Sequence, residues 1–192
     1  LDTQVVDSAT RSQSIIQLFR FTHKSQFEQV ARELPLRDGV IQAVNELRRR
    51  GYKVGVVSDS YFVAAEIIRR RIFADFALAH VVMFDNGVCQ GALSLNTAFS
   101  HDDGCKEHPL CKSNVLRHII DQSPQLAHGQ TIAIGDNLND LCLLQQVDQG
   151  YIIEPKHPDM RQDKLIEIHR FDELIRRISQ NQAYPLDTEH QV

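Results

Sequence analysis

The fold is decided by residues 131–140, which read TIAIGDNLND. The first four residues are apolar or β-branched, as expected of a short buried strand. Gly135 then allows a sharp turn where the strand stops. Asp136, Asn139 and Asp140 follow at a helix start, although one capping residue would be enough there. The surplus of polar side chains predicts a functional site at the end of this strand.

Strands and helices are predicted to alternate after residue 36. Residues 53–58, KVGVVS, predict a buried strand that ends at Ser58. Asn86 and Gly87 give a strong hairpin signal between strands at 77–84 and 88–93. The remaining predicted elements are helices at 61–72, 113–121, 139–147 and 171–178 and strands at 131–134, 151–153 and 166–169. This alternation predicts an α/β fold, a Rossmann-like parallel sheet with helices on both faces, whose ligands bind beyond the carboxyl ends of the strands.

The first 34 residues have a different, helical pattern. Apolar residues at 15, 16, 18 and 19 have helical spacing, and Ser25 is the expected N-cap of a second helix. Pro35 interrupts the pattern. Asp38 is the expected N-cap of the next helix, which Gly51 would end.

Composition excludes several classes of protein. The 192 residues carry 21 Lys and Arg against 25 Asp and Glu, a formal net charge of −4. Proteins that bind nucleic acid or membrane surfaces usually carry a basic excess, so we expect neither partner. Four cysteines in a chain of this size, and no basic-then-apolar segment at the start, predict a cytoplasmic protein. The expected partner is a small molecule.

The strand-end residues suggest phosphate chemistry. A carboxylate cluster with few cationic neighbours favours a hard cation such as Mg²⁺, which also binds phosphate. The Ser58 hydroxyl and the backbone N–H groups beside it could bind an anion at the next helix N-terminus, although serine is also a common N-cap. Lys112 begins a helix after a long loop. A lone lysine is usually a solvated charge, so Lys112 indicates a phosphate site only in combination with Ser58 and residues 135–140.

The order of these three features resembles motifs two, three and four of the haloacid dehalogenase superfamily of phosphohydrolases. A strand ends in Ser58, Lys112 begins a helix, and a strand leads into Gly-Asp-x-x-Asn-Asp at 135–140. Residues 35–40 (PLRDGV), residues 51–58 (GYKVGVVS) and the hairpin at 86–87 are similar to the phosphoserine-phosphatase-like branch. By this resemblance, residues 1–35 are the C-terminal part of a helical cap and residues 36–192 are the α/β core.

The resemblance implies a role for each site residue. Ser58, Lys112 and Asp140 would be catalytic, with Ser58 bonded to a phosphoryl oxygen and Lys112 neutralising the phosphate. Asp136 would ligate Mg²⁺. Asp140 would hold the water shell of the metal or Lys112. The phosphate-binding residues would be Ser58, Asp59, Ser60, Lys112 and Asn139. The implied activity is Mg²⁺-dependent hydrolysis of a small phosphorylated metabolite through an aspartyl-phosphate.

The sequence departs from the branch at its first motif, because no apolar strand ending in Asp-x-Asp is found. That strand supplies the nucleophile and lies between the other two site strands. Without it, buried N–H and C=O groups would be left unpaired at about 1–3 kcal/mol each, against a typical total stability of about 5–15 kcal/mol. We therefore expect the nucleophile strand upstream of Leu1 and expect these 192 residues to be inactive alone. The alternatives are a catalytically inactive phospholigand-binding domain or a phosphotransferase.

A second departure concerns specificity. Asp59 and Ser60 stand where the branch usually has two glycines. The resemblance therefore implies phosphate-ester chemistry but not phosphoserine itself as the substrate.

The loop at 101–111, HDDGCKEHPLC, is rich in His and Cys. His101, Cys105, His108 and Cys111 could form a tetrahedral zinc site, although their spacing matches no familiar zinc signature. A Cys105–Cys111 disulfide in an oxidising compartment and an exposed polar loop are the alternatives. The remaining cysteines, at 89 and 142, are interpreted as packing residues.

Overall fold

Helices and strands alternate through most of the chain, and the computed structural model describes residues 8–182. The elements are α1 (Ser8–Leu18), α2 (Lys24–Glu33), α3 (Val40–Arg49), β1 (Gly55–Tyr61), α4 (Phe62–Arg71), β2 (Phe76–Asp85), β3 (Val88–Ser94), α5 (Lys112–Gln122), β4 (Ile132–Gly135), α6 (Leu141–Gln146), β5 (Gln149–Ile153), β6 (Ile166–Ile168) and α7 (Phe171–Gln182). The predicted α/β class is confirmed. Within residues 8–182, no helix combines the length and the apolar character that crossing a bilayer requires.

The strands form two sheets of three strands each. β1 is parallel to β2, and β2 is antiparallel to β3 through the hairpin at Asn86 and Gly87, both of which have positive φ. β4, β5 and β6 are all parallel. β1 and β4 are edge strands, and no strand within residues 8–182 lies paired between them. The division falls where the strand of the first motif was expected.

Helix α3 packs against elements of both sheets. Leu47 lies in an apolar cluster with Tyr151 of β5 and Ile168 of β6. Val44, a turn earlier in α3, packs in a second cluster with Ile72 and with Val56 of β1. Burying each side chain of this size stabilises the fold by about 1.5–3 kcal/mol. The shared helix therefore connects the sheet of β1 to the sheet of β4. The prediction that the first of these strands ends at Ser58 is wrong, because β1 continues to Tyr61, with a shift in its pairing to β2 after Val57.

The first two helices pack on the β1–β2–β3 side. Ile16 of α1 is fully buried with Val82 and Cys89, and Phe27 of α2 packs on the same cluster. The Ser12 hydroxyl of α1 donates a 3.0 Å hydrogen bond to the carbonyl oxygen of Asp59. The N-terminal helices thus contact the backbone at the carboxyl end of β1.

Two predicted helix caps are wrong. Helix α2 begins at Lys24 after the N-cap His23, whose backbone N–H donates to Gln26 Oε1, so Ser25 lies inside the helix. Helix α3 has Gly39 as its N-cap instead of Asp38. Gly39 has a φ of 80°, a left-handed conformation that costs glycine little and other residues more.

Candidate active site

Asp140 is held by backbone groups at the end of β4. It is a buried residue in a 3₁₀ turn, Leu138–Asp140, and its Oδ2 accepts hydrogen bonds of 3.1 Å from the N–H groups of Asp136 and Asn137. A Cβ on Gly135 would lie 2.5 Å from Asp140 Cβ. Gly135 is therefore needed for close approach as well as for the turn that the sequence predicts.

Lys112 connects two strand ends. Its Nζ donates a 2.7 Å hydrogen bond to Asp140 Oδ1 and lies 3.9 Å from Asp59 Oδ2. Asn139 Nδ2 donates to the same oxygen of Asp59. The side chains of Lys112, Asp59 and Asp140 are each only 11–13% exposed. The structure thus brings together four of the residues singled out in the sequence, from β1, α5 and the turn after β4.

The charges of this cluster are partly unbalanced. Two carboxylates share one ammonium group, and all three charged groups are largely removed from water. Ions in such surroundings need partners that offset the loss of hydration. In addition, Asn139 Oδ1 is buried with no hydrogen-bond partner within the described part of the chain. A buried acceptor of this kind is unusual in a native protein. The cluster can therefore accept a cation or a hydrogen-bond donor from a ligand.

Ser58 and Ser60, the residues on either side of Asp59, are hydrogen-bonded to each other. Ser58 Oγ accepts a 3.1 Å hydrogen bond from the backbone N–H of Ser60, which is an exposed residue. The side chain of β1 that contacts Lys112 is Asp59, which stands where the branch that the sequence resembles usually has glycine.

Asp136 has cationic partners that its neighbours in sequence do not reveal. Its Oδ2 lies 2.8 Å from Lys156 Nζ and 3.7 Å from a guanidinium nitrogen of Arg37. The Lys156 backbone N–H also donates to the Asp136 carbonyl oxygen at 2.8 Å. These cations come from segments far from Asp136 in sequence. Lys156 could have been found, because it follows the carboxyl end of β5, where ligands of parallel sheets bind.

A buried histidine lies close to Asp59. His80 of β2 is fully buried and pairs with Tyr61 of β1, and its ring centroid lies 4.9 Å from that of Phe99 with the ring planes tilted by 51°. Its Nδ1 accepts a hydrogen bond from the backbone N–H of Asn96. Burial lowers the pKa of His80, and the negative charge of Asp59 opposes that shift. Burial of His80 therefore favours its neutral imidazole.

A second cluster, of three thiols and one imidazole, lies next to this site. The ligand atoms of Cys105, His108, Cys111 and Cys142 all lie within 4.8 Å of one another. Cys142, which the sequence analysis interpreted as a packing residue, is one member of this cluster. His101, by contrast, lies apart from the cluster with its Nε2 3.2 Å from Asp121.

The thiols of the cluster differ in acidity. Burial and the neighbouring thiols raise the pKa of Cys142 to about 12. Burial also acts to raise the pKa of Cys105, but hydrogen bonds from His108 and from backbone N–H groups outweigh it and lower the pKa to about 7.

Comparison with known proteins identifies relatives across most of the chain. The family described as Putative Phosphatase matches residues 12–181. Phosphoserine phosphatase of Haemophilus influenzae is 23% identical over 133 residues, 69% of this chain and 39% of that protein. Phosphoserine phosphatase of Wolinella succinogenes is 26% identical over 157 residues, 82% of this chain and 71% of that protein. The chain spans only 29% of the Streptomyces coelicolor phosphoserine phosphatase that it also matches.

Solved structures give the same fold. A phospho-aspartyl intermediate analogue of phosphoserine phosphatase aligns with a TM-score of 0.71 and 21% identity, over 90% of this chain and 78% of that chain. A haloacid dehalogenase family hydrolase from Salmonella enterica serovar Typhi aligns with a TM-score of 0.71 and 22% identity, over 91% of this chain and 55% of that chain. At these identities the likeness establishes the architecture.

Proposed function

The chain belongs to the Putative Phosphatase family, and from this premise we propose that it is a Mg²⁺-dependent phosphomonoester hydrolase of the phosphoserine-phosphatase-like branch of the haloacid dehalogenase superfamily. The substrate is a small phosphorylated metabolite, and the reaction passes through an aspartyl-phosphate. The observation that carries the proposal is the position of Lys112 Nζ, 2.7 Å from Asp140 and 3.9 Å from Asp59. A buried lysine between two strand ends suits a dianionic phosphate ester.

Each residue of the cluster has a task in this reaction. Lys112 neutralises a phosphoryl oxygen and is itself oriented by Asp140. Asp140 in turn is fixed by the two backbone N–H groups that it accepts from. Asn139 and the hydroxyl of Ser58 orient the substrate, with Asp59 and Ser60 forming the rest of the phosphate-binding loop. Positioning and charge neutralisation provide most of the acceleration in phosphoryl transfer.

The donor set fits a divalent cation. Asp136 and Asp140 offer carboxylate oxygens, and Asn139 offers a buried amide oxygen that has no partner among the described residues. Oxygen donors of this kind suit Mg²⁺, and we assign its direct protein ligand to Asp136. The chemistry that Mg²⁺ supplies when bound is neutralisation of charge on the phosphoryl oxygens. Lys156 and Arg37, which contact Asp136, carry positive charge to the same edge.

We place the nucleophile of the proposed reaction on a strand outside the described residues. β1 and β4 present edges that no strand within residues 8–182 covers, yet their ends are joined through Lys112. An inserted strand between them would pair those edges and end beside Lys112. We place this strand upstream of Leu1, with an aspartate at its carboxyl end. Residues 1–35 are then the last part of a helical cap, and residues 36–192 the rest of the core.

Phosphate release by the full-length protein tests this function. We expect hydrolysis of a panel of small phosphate esters, phosphoserine included, in Mg²⁺, with the activity abolished by EDTA and restored by added Mg²⁺. Asp136→Asn should remove the activity, whereas the matched exposed variant Asp163→Asn should retain it. Release that is insensitive to EDTA would contradict the metal requirement. Binding of phosphate esters without turnover would favour the inactive ligand-binding alternative, and transfer to added alcohols would favour a phosphotransferase.

The remaining properties stay predictions from composition. The net charge of −4 and the cysteine content favour a cytoplasmic protein without nucleic-acid or membrane partners.

A further inference from the structure

Four soft metal ligands converge from two segments of the chain. Cys105, His108 and Cys111 come from the loop before α5, and Cys142 comes from the first turn of α6. Cys142 lies 31 positions after Cys111 in sequence, so only the fold brings it to the loop. The set is one imidazole and three thiols, a Cys₃His composition typical of structural zinc sites.

The two sulfur–nitrogen distances to His108 fit a shared central atom. His108 Nδ1 lies 3.4 Å from Cys105 Sγ and 3.6 Å from Cys142 Sγ. Zn–S bonds of about 2.3 Å and Zn–N bonds of about 2.0–2.1 Å at tetrahedral angles separate sulfur from nitrogen by about 3.5 Å. A neutral imidazole nitrogen either donates one hydrogen bond or accepts one. One hydrogen bond therefore accounts for one of the two close sulfurs, whereas a common metal accounts for both.

The structure holds the loop in position for this task. Asn114 is buried in α5, its Oδ1 accepts a 2.9 Å hydrogen bond from the Cys105 N–H, and its Nδ2 donates to the Phe99 carbonyl oxygen. A Cβ on Gly104 would lie 2.0 Å from Asn114 Oδ1, so only glycine allows the loop to pack this closely. Cys111 is buried and accepts a hydrogen bond from Ser113 Oγ. Fixed ligands of this kind are pre-organised for a metal.

We propose that Cys105, His108, Cys111 and Cys142 bind one structural Zn²⁺ in a closed tetrahedral site. Three thiolates and one imidazole select zinc over Mg²⁺, which prefers oxygen donors, so this site is chemically distinct from the carboxylate cluster. His101, at 3.2 Å from Asp121, is not a ligand. The metal site itself does not depend on the phosphatase activity proposed above.

The zinc would join the two elements that carry the buried ion pair. Cys111 immediately precedes Lys112, and Cys142 follows Asp140 by two residues. Lys112 and Asp140 therefore each lie next to a ligand of the same ion. Binding would fix the start of α5 relative to the start of α6, and the free energy of metal binding would add to the stability of the fold.

Metal content of the purified full-length protein is the test. The protein is expressed in zinc-supplemented medium, purified without chelator and analysed by mass spectrometry of its metals. We expect about one zinc per chain. Cys105→Ser and Cys142→Ser should each lose most of this zinc. The matched controls His101→Asn and Cys89→Ser should keep it, since one removes the neighbouring imidazole and the other a buried thiol elsewhere.

A second measurement is independent of whether the variants fold. Wild-type protein stripped of zinc and loaded with Co²⁺ should show thiolate-to-cobalt charge-transfer absorption and the visible bands of tetrahedral cobalt. Wild-type protein without zinc, or a cobalt spectrum without thiolate bands, would overturn the proposal. Zinc retained in full by Cys142→Ser would also overturn it, as would a Cys105–Cys111 disulfide detected in the non-reduced protein.

Discussion

Lys112 Nζ lies 2.7 Å from Asp140 Oδ1, and both side chains are only 11% exposed. The two residues are 28 positions apart in sequence. Lys112 begins α5, whereas Asp140 ends the turn after β4. Their contact joins the segments that resemble the third and fourth motifs of the haloacid dehalogenase superfamily. The contact also places a positive charge beside Asp59 and Asp140, where it could neutralise a phosphoryl group in the proposed reaction.

Replacing Lys112 with methionine keeps an unbranched side chain, one atom shorter, and removes the charge. We predict a loss of about 100-fold or more in kcat/KM for phosphate-ester hydrolysis, because a preorganised charge at the reacting centre is lost. Lys164→Met, at an exposed position, is the matched control and should have wild-type kinetics. Steady-state phosphate release by both variants measures the difference. Wild-type rates for Lys112→Met would contradict the proposed role.

Gly135→Ala tests the close approach at the end of β4. The new Cβ would lie 2.5 Å from Asp140 Cβ, so the turn must shift. We predict a loss of about 1–3 kcal/mol in the free energy of unfolding, together with lower activity. In Gly129→Ala the nearest atom would be Leu126 O at 3.4 Å, and that variant should be near wild type. Urea denaturation compares the two, and equal stability would argue against this packing.

Asn114→Ala tests the anchor between α5 and the cysteine loop. The variant leaves the Cys105 N–H without its partner and removes one of the two hydrogen bonds to the Phe99 carbonyl oxygen, which still accepts from the Cys111 N–H. We predict destabilisation by about 1–3 kcal/mol, the cost of one backbone N–H group left unsatisfied. Gln122→Ala, at the exposed end of the same helix, is the control. Thermal unfolding of both variants would reveal the difference, and an unchanged melting temperature for Asn114→Ala would exclude the anchor.

His80 predicts a dependence of stability on pH. Burial lowers the pKa of His80 below its ordinary value of 6.5, and Asp59 is the charged group that opposes the shift. Below about pH 6.5, His80 therefore binds a proton more readily in the unfolded chain than in the folded chain. The free energy of unfolding falls as the pH falls through this range. His80→Gln should lose this component, whereas His128→Gln, at an exposed position, should keep it. Urea unfolding from pH 8 to pH 5 measures both slopes, and identical slopes for wild type and His80→Gln would refute the prediction.

Sequence patterns predicted the order of the elements well. The alternation of strands and helices, the hairpin at residues 86–87 and the clustered polar residues at 135–140 are local features, so a single segment is enough to reveal each one. The N-caps predicted at residues 25 and 38 are wrong, because α2 begins after the N-cap His23 and α3 begins after the N-cap Gly39. Gly39 at the start of α3 adopts a positive φ that no hydrophobic pattern encodes.

The contacts that define the site are non-local and could be predicted only in part. The resemblance to known motifs placed Lys112 and Asp140 at one site, but spacing alone could not bring them together. Lys156 reaches Asp136 from the loop after β5. Cys142 reaches the loop before α5 from α6, which follows β4 in the sequence. Both contacts depend on how the sheets pack, which periodicity along the chain does not specify.

A crystal structure of the full-length protein with Mg²⁺ and inorganic phosphate would test the proposed site most directly. We predict Mg²⁺ at about 2.0–2.1 Å from an oxygen of Asp136, with Lys156 moved off that carboxylate. The phosphate should accept hydrogen bonds from Lys112 Nζ and the Ser58 hydroxyl. A metal and phosphate bound elsewhere, or Ser58 and Lys112 facing different surfaces, would contradict the assignment of this site.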